Sequence, residues 1–454
     1  MMPSRIARAL TLGSPVPAGL SPRERGLLRL HLLSSVFSGF LMACINLSDA
    51  TLAKTLNGSA FQVTLLGLLA GLSYIGALFW GEAMRGRRKA PFILVFAMIG
   101  RLGIGLLGLS QDPNWFILVM ALVWVSDSLI VTAQVSIIRR AYAPEHRNTL
   151  FGLTISATTL VRLVTMVALG RLLDWNEHAY GLYFGAGGLA GFAGAWFLAR
   201  MERRLDRAAG DPGADPPPRR VMRSDPVADA YRPMGQPGLG ATMRSVRESI
   251  ALVRRIVRQD ATFRTFERNF FLYGVAFLSL TPVVPLFLVH DMKMDYTQIG
   301  LAKGLMGQAG MILLPPILGR TMERLGPVRF CVGVFAFLAL FPLLLFAAGA
   351  FPGAPAIPLV YAAFACFGAG MAGVSLAWHM SSIHFARDED PSSYQAVHNV
   401  LTGIRGGFAP LIGLALIQTG SKMPAFLASA ALLLGASLLM HRLARRGAHP
   451  ASRR

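Results

Sequence analysis

Twelve apolar segments, almost every one long enough to cross a bilayer, fill this chain. They run at about 28–50, 61–84, 91–109, 115–138, 150–172, 179–200, 268–290, 298–320, 329–350, 357–380, 396–417 and 424–442. Roughly 20 predominantly apolar residues span the hydrocarbon core as a helix. The pattern therefore predicts an all-α integral membrane protein of twelve transmembrane helices. Positive charge sorts by side. Of 44 Lys and Arg, 36 lie in the N-terminal arm, in the loops after even-numbered spans, in the C-terminal tail or at the span ends that border them. Lys54, Arg171, Lys293 and Lys422 fall on the other side, and Arg101, Arg162, Lys303 and Arg405 lie inside spans. Positive residues favour the cytoplasmic side, which puts both termini in the cytoplasm. The expected location is the plasma membrane, the inner membrane in a bacterium.

A net charge of +21 in a soluble protein would point to nucleic acid. Spread over one side of twelve spans, the charge is explained by topology and by attraction to anionic lipid. No nucleic-acid partner is expected. Cys44, Cys331 and Cys366 sit inside apolar spans, far apart and without Cys-x-x-Cys or Cys/His spacing. Packing is their expected role, with no disulfide framework, metal site or cofactor. Residues 1–27 carry Arg5, Arg8, Arg23 and Arg25 but no continuous apolar core, so no cleavable signal peptide is read there.

The domain plan is a cytoplasmic arm at 1–27, six spans over 28–200, a cytoplasmic linker at 201–267, six spans over 268–442 and a tail at 443–454. Residues 201–240 are rich in Pro, Gly and charge of both signs, and bury too little apolar surface to order themselves. Within 241–262, Ile250, Val253 and Ile256 fall near one helical face with Arg elsewhere, which suits a helix lying in the membrane interface. The two sets of spans repeat weakly. Phe61-Gln62-Val63 and Thr297-Gln298-Ile299 open the second and eighth spans, and the same offset places Gly71 on Gly307. Such matches support two related six-helix halves in parallel orientation, a known transporter construction.

With this plan the chain resembles the major facilitator superfamily of secondary transporters. That family's loop after helix 2 carries Gly-x3-Asp-Arg-x-Gly-Arg-Arg. Gly81, Arg85, Gly86, Arg87 and Arg88 keep the glycines and the basic run but lack the acid. The loop after the eighth span is nearer the pattern, with Gly319, Arg324 and Gly326 around Glu323 in the acid position. The resemblance implies two pseudo-symmetric six-helix bundles, cytoplasmic gating loops at these two places, and a central cavity lined mainly by helices 1, 4, 7 and 10.

Ionisable groups deep in a span are expensive and default to functional candidates. Asp127 and Arg162 each lie 12 positions from the end of a hairpin drawn between Arg139 and Leu150. At 1.5 Å per residue that is about 18 Å for both, so the two are expected to pair. Asp127 is then a candidate for proton coupling, with a carboxyl responsive to its distance from the arginine. Asp49, after Asn46 and Ser48 at the outer end of the first span, is the second proton candidate, although it also reads as a solvated loop entry. Arg405 is flanked by Gly403, Gly406, Gly407 and Pro410 and is read as a substrate or gate contact or as interhelical glue. His379 faces it or caps the interface. Lys303, about six residues into its span, reads as snorkelling to the surface, with Gln308 a cavity candidate one turn deeper. Glycines at four-residue spacing, such as Gly67 and Gly71 or Gly300 and Gly304, read as helix-packing contacts.

No phosphate loop or catalytic cluster is present in the sequence, so an ATP-driven pump and an enzyme are not expected. The expected function is secondary active transport of a small solute by alternating access, coupled to protons, by a monomeric chain. The alternative is a non-transporting sensor or assembly protein on the same fold. In-span cations outnumber in-span acids, a weak lean towards an anionic solute. Import and export stay open.

Overall fold

A computed structural model describes residues 20–84, 87–209, 254–351, 353–386 and 391–447. The first six spans are α1 (Pro22–Lys54), α2 (Ala60–Ala83), α3 (Lys89–Leu109), α4 (Pro113–Ala141), α5 (Pro144–Trp175) and α6 (Tyr180–Ala209). The second six are α7 (Ala261–Asp291), α8 (296–325), α9 (327–350), α10 (Ala356–Ala386), α11 (Pro391–Ile417) and α12 (Met423–Gly447). Among the described residues, ten stretches are long and apolar enough to cross a membrane. The other two of the expected twelve, α2 and α8, are helical as well, α8 with interruptions.

Local chemistry sets the ends. Ser21 and Glu24 form a capping box at α1, Asp295 and Gln298 another at α8, and Asp112 and Asp260 cap α4 and α7 through their side chains. Each supplies an acceptor to N–H groups that the first turn leaves without partners. Gly326 turns the chain between α8 and α9 at φ 72° and ψ 161°, a conformation essentially restricted to glycine, and Pro327 then starts α9. Prolines coincide with breaks in two spans: α7 is interrupted over 279–282 at Pro282, and α8 bends at Leu314 ahead of Pro315. Among the described residues, three spans contain π turns, at Ala97–Leu102 in α3, Phe287–Asp291 in α7 and Leu301–Met306 in α8.

Of the expected interfacial helix, 254–259 is helical and Ile256 is buried against Phe263 and Phe266 at the start of α7. Ile250 and Val253 lie outside the described residues.

The cores reveal how the halves meet. At the end bearing the basic loops there are two separate apolar cores. One is built from Leu27, Met84, Ile93, Ile137 and Leu198 of the first half, the other from Phe266, Phe330, Phe335, Val397 and Met440 of the second. At the opposite end one continuous core joins Leu47, Leu52, Val63 and Met166 to Val283, Phe287, Tyr296 and Ile299. Small residues permit this join. A Cβ on Gly170 would lie 2.6 Å from the Tyr296 carbonyl oxygen, one on Gly300 2.7 Å from that of Met166, and one on Gly71 2.6 Å from that of Gly406. Backbones therefore touch along α5–α8 and α2–α11, as the glycine spacing predicts. The two halves are joined at one end and part at the other.

Candidate functional site

A cavity of about 290 Å³ lies between the halves where they begin to part. Residues of α1, α2, α4, α7, α8, α9 and α10 line it, a wider set of helices than expected. Most of its wall is apolar, from Trp124, Phe277, Phe341, Phe364 and Phe367. Its polar residues include four sequence candidates, Asn46, Asp49, Lys303 and Gln308, together with Ser48 and Thr281.

Lys303 does not snorkel to the surface. Its Nζ donates to both carboxylate oxygens of Asp49 and to the Asn46 carbonyl oxygen, all at 2.7 Å. The ammonium thereby spends its three N–H donors across the boundary between the halves. Asp49 likewise is part of the cavity wall and not a solvated loop entry. The π turn of α8 carries Lys303, and Gln308 Nε2 donates back to the Lys303 carbonyl oxygen at 3.3 Å. Gln308 Oε1 in turn accepts from Arg162 Nη2 of α5. Four candidates noted separately in the sequence thus form one chain: Asp49, Lys303, Gln308 and Arg162. Two donors around it, Trp124 Nε1 and Arg162 Nε, are buried with no hydrogen-bond partner among the described residues.

The expected Asp127–Arg162 pair does not form. Asp127 accepts from Arg101 Nη2 of α3 at 3.0 Å, while Arg162 reaches the second half. Depth was matched, but direction around the helix axis decides the partner. α4 packs tightly on α3, where a Cβ on Gly100 would meet Ser126 at 2.4 Å, and Asp127 turns to that side. Arg101 also donates to the Gly191 carbonyl oxygen at 2.8 Å and to Ser38 Oγ at 3.2 Å, so it holds α1, α3, α4 and α6 together. At 8% exposure, Asp127 is inside the first half and away from the cavity lining.

Arg405 is buried in the second half. Its Nη1 donates to the Phe270 carbonyl oxygen at 2.9 Å and its Nη2 to Thr402 Oγ1 at 3.1 Å, with the rings of Phe270, Tyr273 and Trp378 around the guanidinium. Gly274 makes the space, since a Cβ there would lie 2.3 Å from the guanidinium. These contacts tie α11 to α7 and α10. One turn below, Glu267 of α7 and His398 of α11 form a buried contact at 2.9 Å that the sequence reading missed. The side chain of His379 falls outside the described residues.

At the joined end a second latch appears, also unforeseen. Asp174, at the end of α5, accepts from the backbone N–H of Tyr296 and of Thr297, both at 2.7 Å, and from Thr297 Oγ1 at 2.6 Å. It caps the start of α8 from the other half, where the helix dipole favours an anion. Thr55 and Tyr296 hydroxyls pair beside it, and Lys54 donates to the Met294 carbonyl oxygen at 3.2 Å. We expect Asp174→Ala to loosen this end. Labelling of a cysteine placed at Thr297 by a water-soluble maleimide should rise severalfold; unchanged labelling would show that Asp174 does not hold the halves together.

Of the gating-loop candidates, Arg85 and Gly86 lie outside the described residues. Arg87 and Arg88 are exposed, as are Glu323 and Arg324, and Gly326 makes the α8–α9 turn. Gly319 stands in open space, with no atom near the position a Cβ would take. Nothing further is described of Gly81 beyond its place in α2.

Comparison with known proteins supplies the frame. A family model described as Major Facilitator Superfamily matches residues 32–243 and 269–454. Among solved structures, a POT family transporter in complex with 5-aminolevulinic acid aligns with a TM-score of 0.69 at 13% identity, over 96% of this chain and 99% of that one. The nucleoside transporter NupG aligns at 0.62 and 12%, over 92% and 99%. A bacterial homologue of the human lysosomal transporter Spinster, inward-facing and unoccupied, aligns at 0.60 and 15%, over 96% and 100%. At these identities the likeness is one of fold. No curated protein matches the chain in sequence.

Proposed function

Because the chain belongs to the Major Facilitator Superfamily, we propose that this transporter moves a small carboxylate-bearing solute through the cavity by alternating access, with Asp49 taking up the coupling proton. Within that family the all-α fold, the membrane location and the absence of an enzymatic role follow directly. The observation that carries the finer reading is the cross-half contact of Lys303 with Asp49 and Asn46 at the cavity wall.

The chemistry runs as follows. With Asp49 ionised, the ammonium is held between the halves at the joined end. A proton on Asp49 removes the charge attraction that favours the closed join. Lys303 then becomes free to bind a solute carboxylate, and the unpartnered Nε1 of Trp124 in the cavity wall provides a further site for an acceptor oxygen. With Asp49 protonated, the Lys303 ammonium is the remaining charge among the described lining residues, which selects against cations. The apolar wall accepts the remainder of the solute. By the positive-inside rule the basic loops are cytoplasmic, so the separate cores open towards the cytoplasm and the joined end faces outward. Asp127, held by Arg101, is assigned to the framework of the first half. A single chain carries the whole cavity, so a monomer suffices.

The test is reconstitution with a panel of radiolabelled amino acids, other carboxylates, dipeptides and nucleosides under an imposed proton gradient. Carboxylate-bearing members are expected to accumulate. Lys303→Ala should weaken their binding at least tenfold, consistent with loss of one charge-assisted contact of about 1.5–3 kcal/mol. Asp49→Asn should retain solute exchange but lose gradient-driven accumulation, while Asp127→Asn keeps both. Uptake restricted to cations would sink the carboxylate assignment, and full accumulation by Asp49→Asn would sink the coupling role.

A further inference from the structure

We infer that the basic-loop end of α6 and the facing side of α3 form a binding site for an anionic phospholipid headgroup, separate from the central cavity. A pocket of about 270 Å³ opens there, lined by Leu94 of α3 and by Trp196, Arg200, Arg203, Arg204 and Arg207 of α6. The α6 residues follow a helical stripe, recurring at three- and four-residue intervals along one face. All four arginines are exposed.

The charge of this stripe is not neutralised from within its own helix. The acids interleaved with it, Glu202 and Asp206, face the other way and are both held by Arg140 of α4, at 2.9 Å and 2.7 Å. The segment is thereby sorted into an inner face whose acids are paired with Arg140 and an outer face whose charged residues are arginines. Guanidinium groups in a row suit the phosphate diester of a lipid, since each presents a planar fork of donors.

The surroundings select a lipid over a soluble anion. Trp196 is 39% exposed at the start of the stripe, and the Arg200 guanidinium stacks 5.2 Å from its ring centre. An aromatic ring followed by basic residues marks the boundary between hydrocarbon and headgroup. Towards the middle of α3, beyond Leu94, come Val95, Met98 and Ile99, each 45–58% exposed. The pocket is therefore continuous on one side with an apolar surface for acyl chains and ends on the other in four arginines. A free phosphate would use only the arginines.

The test uses the full-length protein in nanodiscs of phosphatidylcholine with a fifth of phosphatidylglycerol, with lipid retention read by native mass spectrometry after extraction. The wild-type chain should retain phosphatidylglycerol preferentially. The triple variant Arg200→Gln, Arg203→Gln and Arg207→Gln should bind it roughly a hundredfold more weakly, at about fivefold per charge. The same three positions as Lys should keep most of the preference, which separates loss of the site from loss of folding. Removing three exposed arginines elsewhere, Arg254, Arg258 and Arg320, should leave it intact. Equal retention by the Gln variant, or an equal loss in the distant variant, would overturn the site. So would full displacement of the lipid by millimolar inorganic phosphate, which would make the pocket a site for soluble anions.

Discussion

Arg101→Ala should destabilise the folded protein by about 3–5 kcal/mol, the usual cost of leaving one member of a buried ion pair without its partner. The loss has two sources. Asp127 is left ionised and unpaired between packed helices, and the Gly191 carbonyl oxygen and Ser38 lose their donor as well. Asp127→Asn alone should cost less, because a neutral amide can still accept from Arg101. Combining Asp127→Asn with Arg101→Ala should be milder than Arg101→Ala by itself, since no buried charge then stands alone. Thermal unfolding in one detergent, across the wild type and three variants, reads the cycle. An Arg101→Ala protein that melts with the wild type would show that the pair contributes nothing. The matching change at Arg162, whose contact is with the other half, should affect stability less than transport.

Gly170→Val should prevent the join between the halves. The added side chain would begin 2.6 Å from the Tyr296 carbonyl oxygen and 3.0 Å from the Thr297 Cα, so backbone has to move. No flexible side-chain end is there to yield. The expected result is a shift to the state open at the Asp174 end, with transport reduced at least a hundredfold while the protein still inserts and folds. A cysteine pair at Thr55 and Tyr296, whose hydroxyls touch in the wild type, reports the join directly. Crosslinking should be ready in the parent and lost with Gly170→Val. Undiminished crosslinking together with normal transport would mean that α5 and α8 tolerate the wedge.

Much of the framework is legible in the sequence because the bilayer imposes it. Span length, the one-sided positive charge and the small-residue spacing each answer a separate physical demand, and each reappears as helices, ends and backbone seams. The site is legible only in pieces. Asp49, Lys303, Gln308 and Arg162 stand out because charge and amide are costly at depth. Their assembly depends on which way each helix is turned and on which helix of the other half lies opposite, and neither is a property of local sequence. That gap misassigned the partner of Asp127. Span boundaries hid other groups. Starting the seventh span at 268 left Glu267 outside, whereas α7 begins at Ala261 and buries it against His398. Asp174 sits where a helix ends, and acids at helix ends look ordinary until a neighbour's N-terminus is seen above them.

The π turn at Leu301–Met306 has a consequence for how such a chain can change over generations. A π turn closes its hydrogen bonds over five residues where an α turn uses four, so α8 carries one residue more than a regular helix of the same path. Excising Ala302 would restore a regular helix along the same path, so Tyr296 and Thr297 at the Asp174 latch and Gln308 near Arg162 would keep their faces towards α5. What would change is the shape of the turn itself, which carries Lys303 to Asp49 and Asn46. A single-residue deletion in this stretch should therefore leave the join between the halves in place while impairing the cavity contact. Alignment of this chain with a relative whose eighth span is regular should need a one-residue gap between 300 and 307, at the turn that holds Lys303.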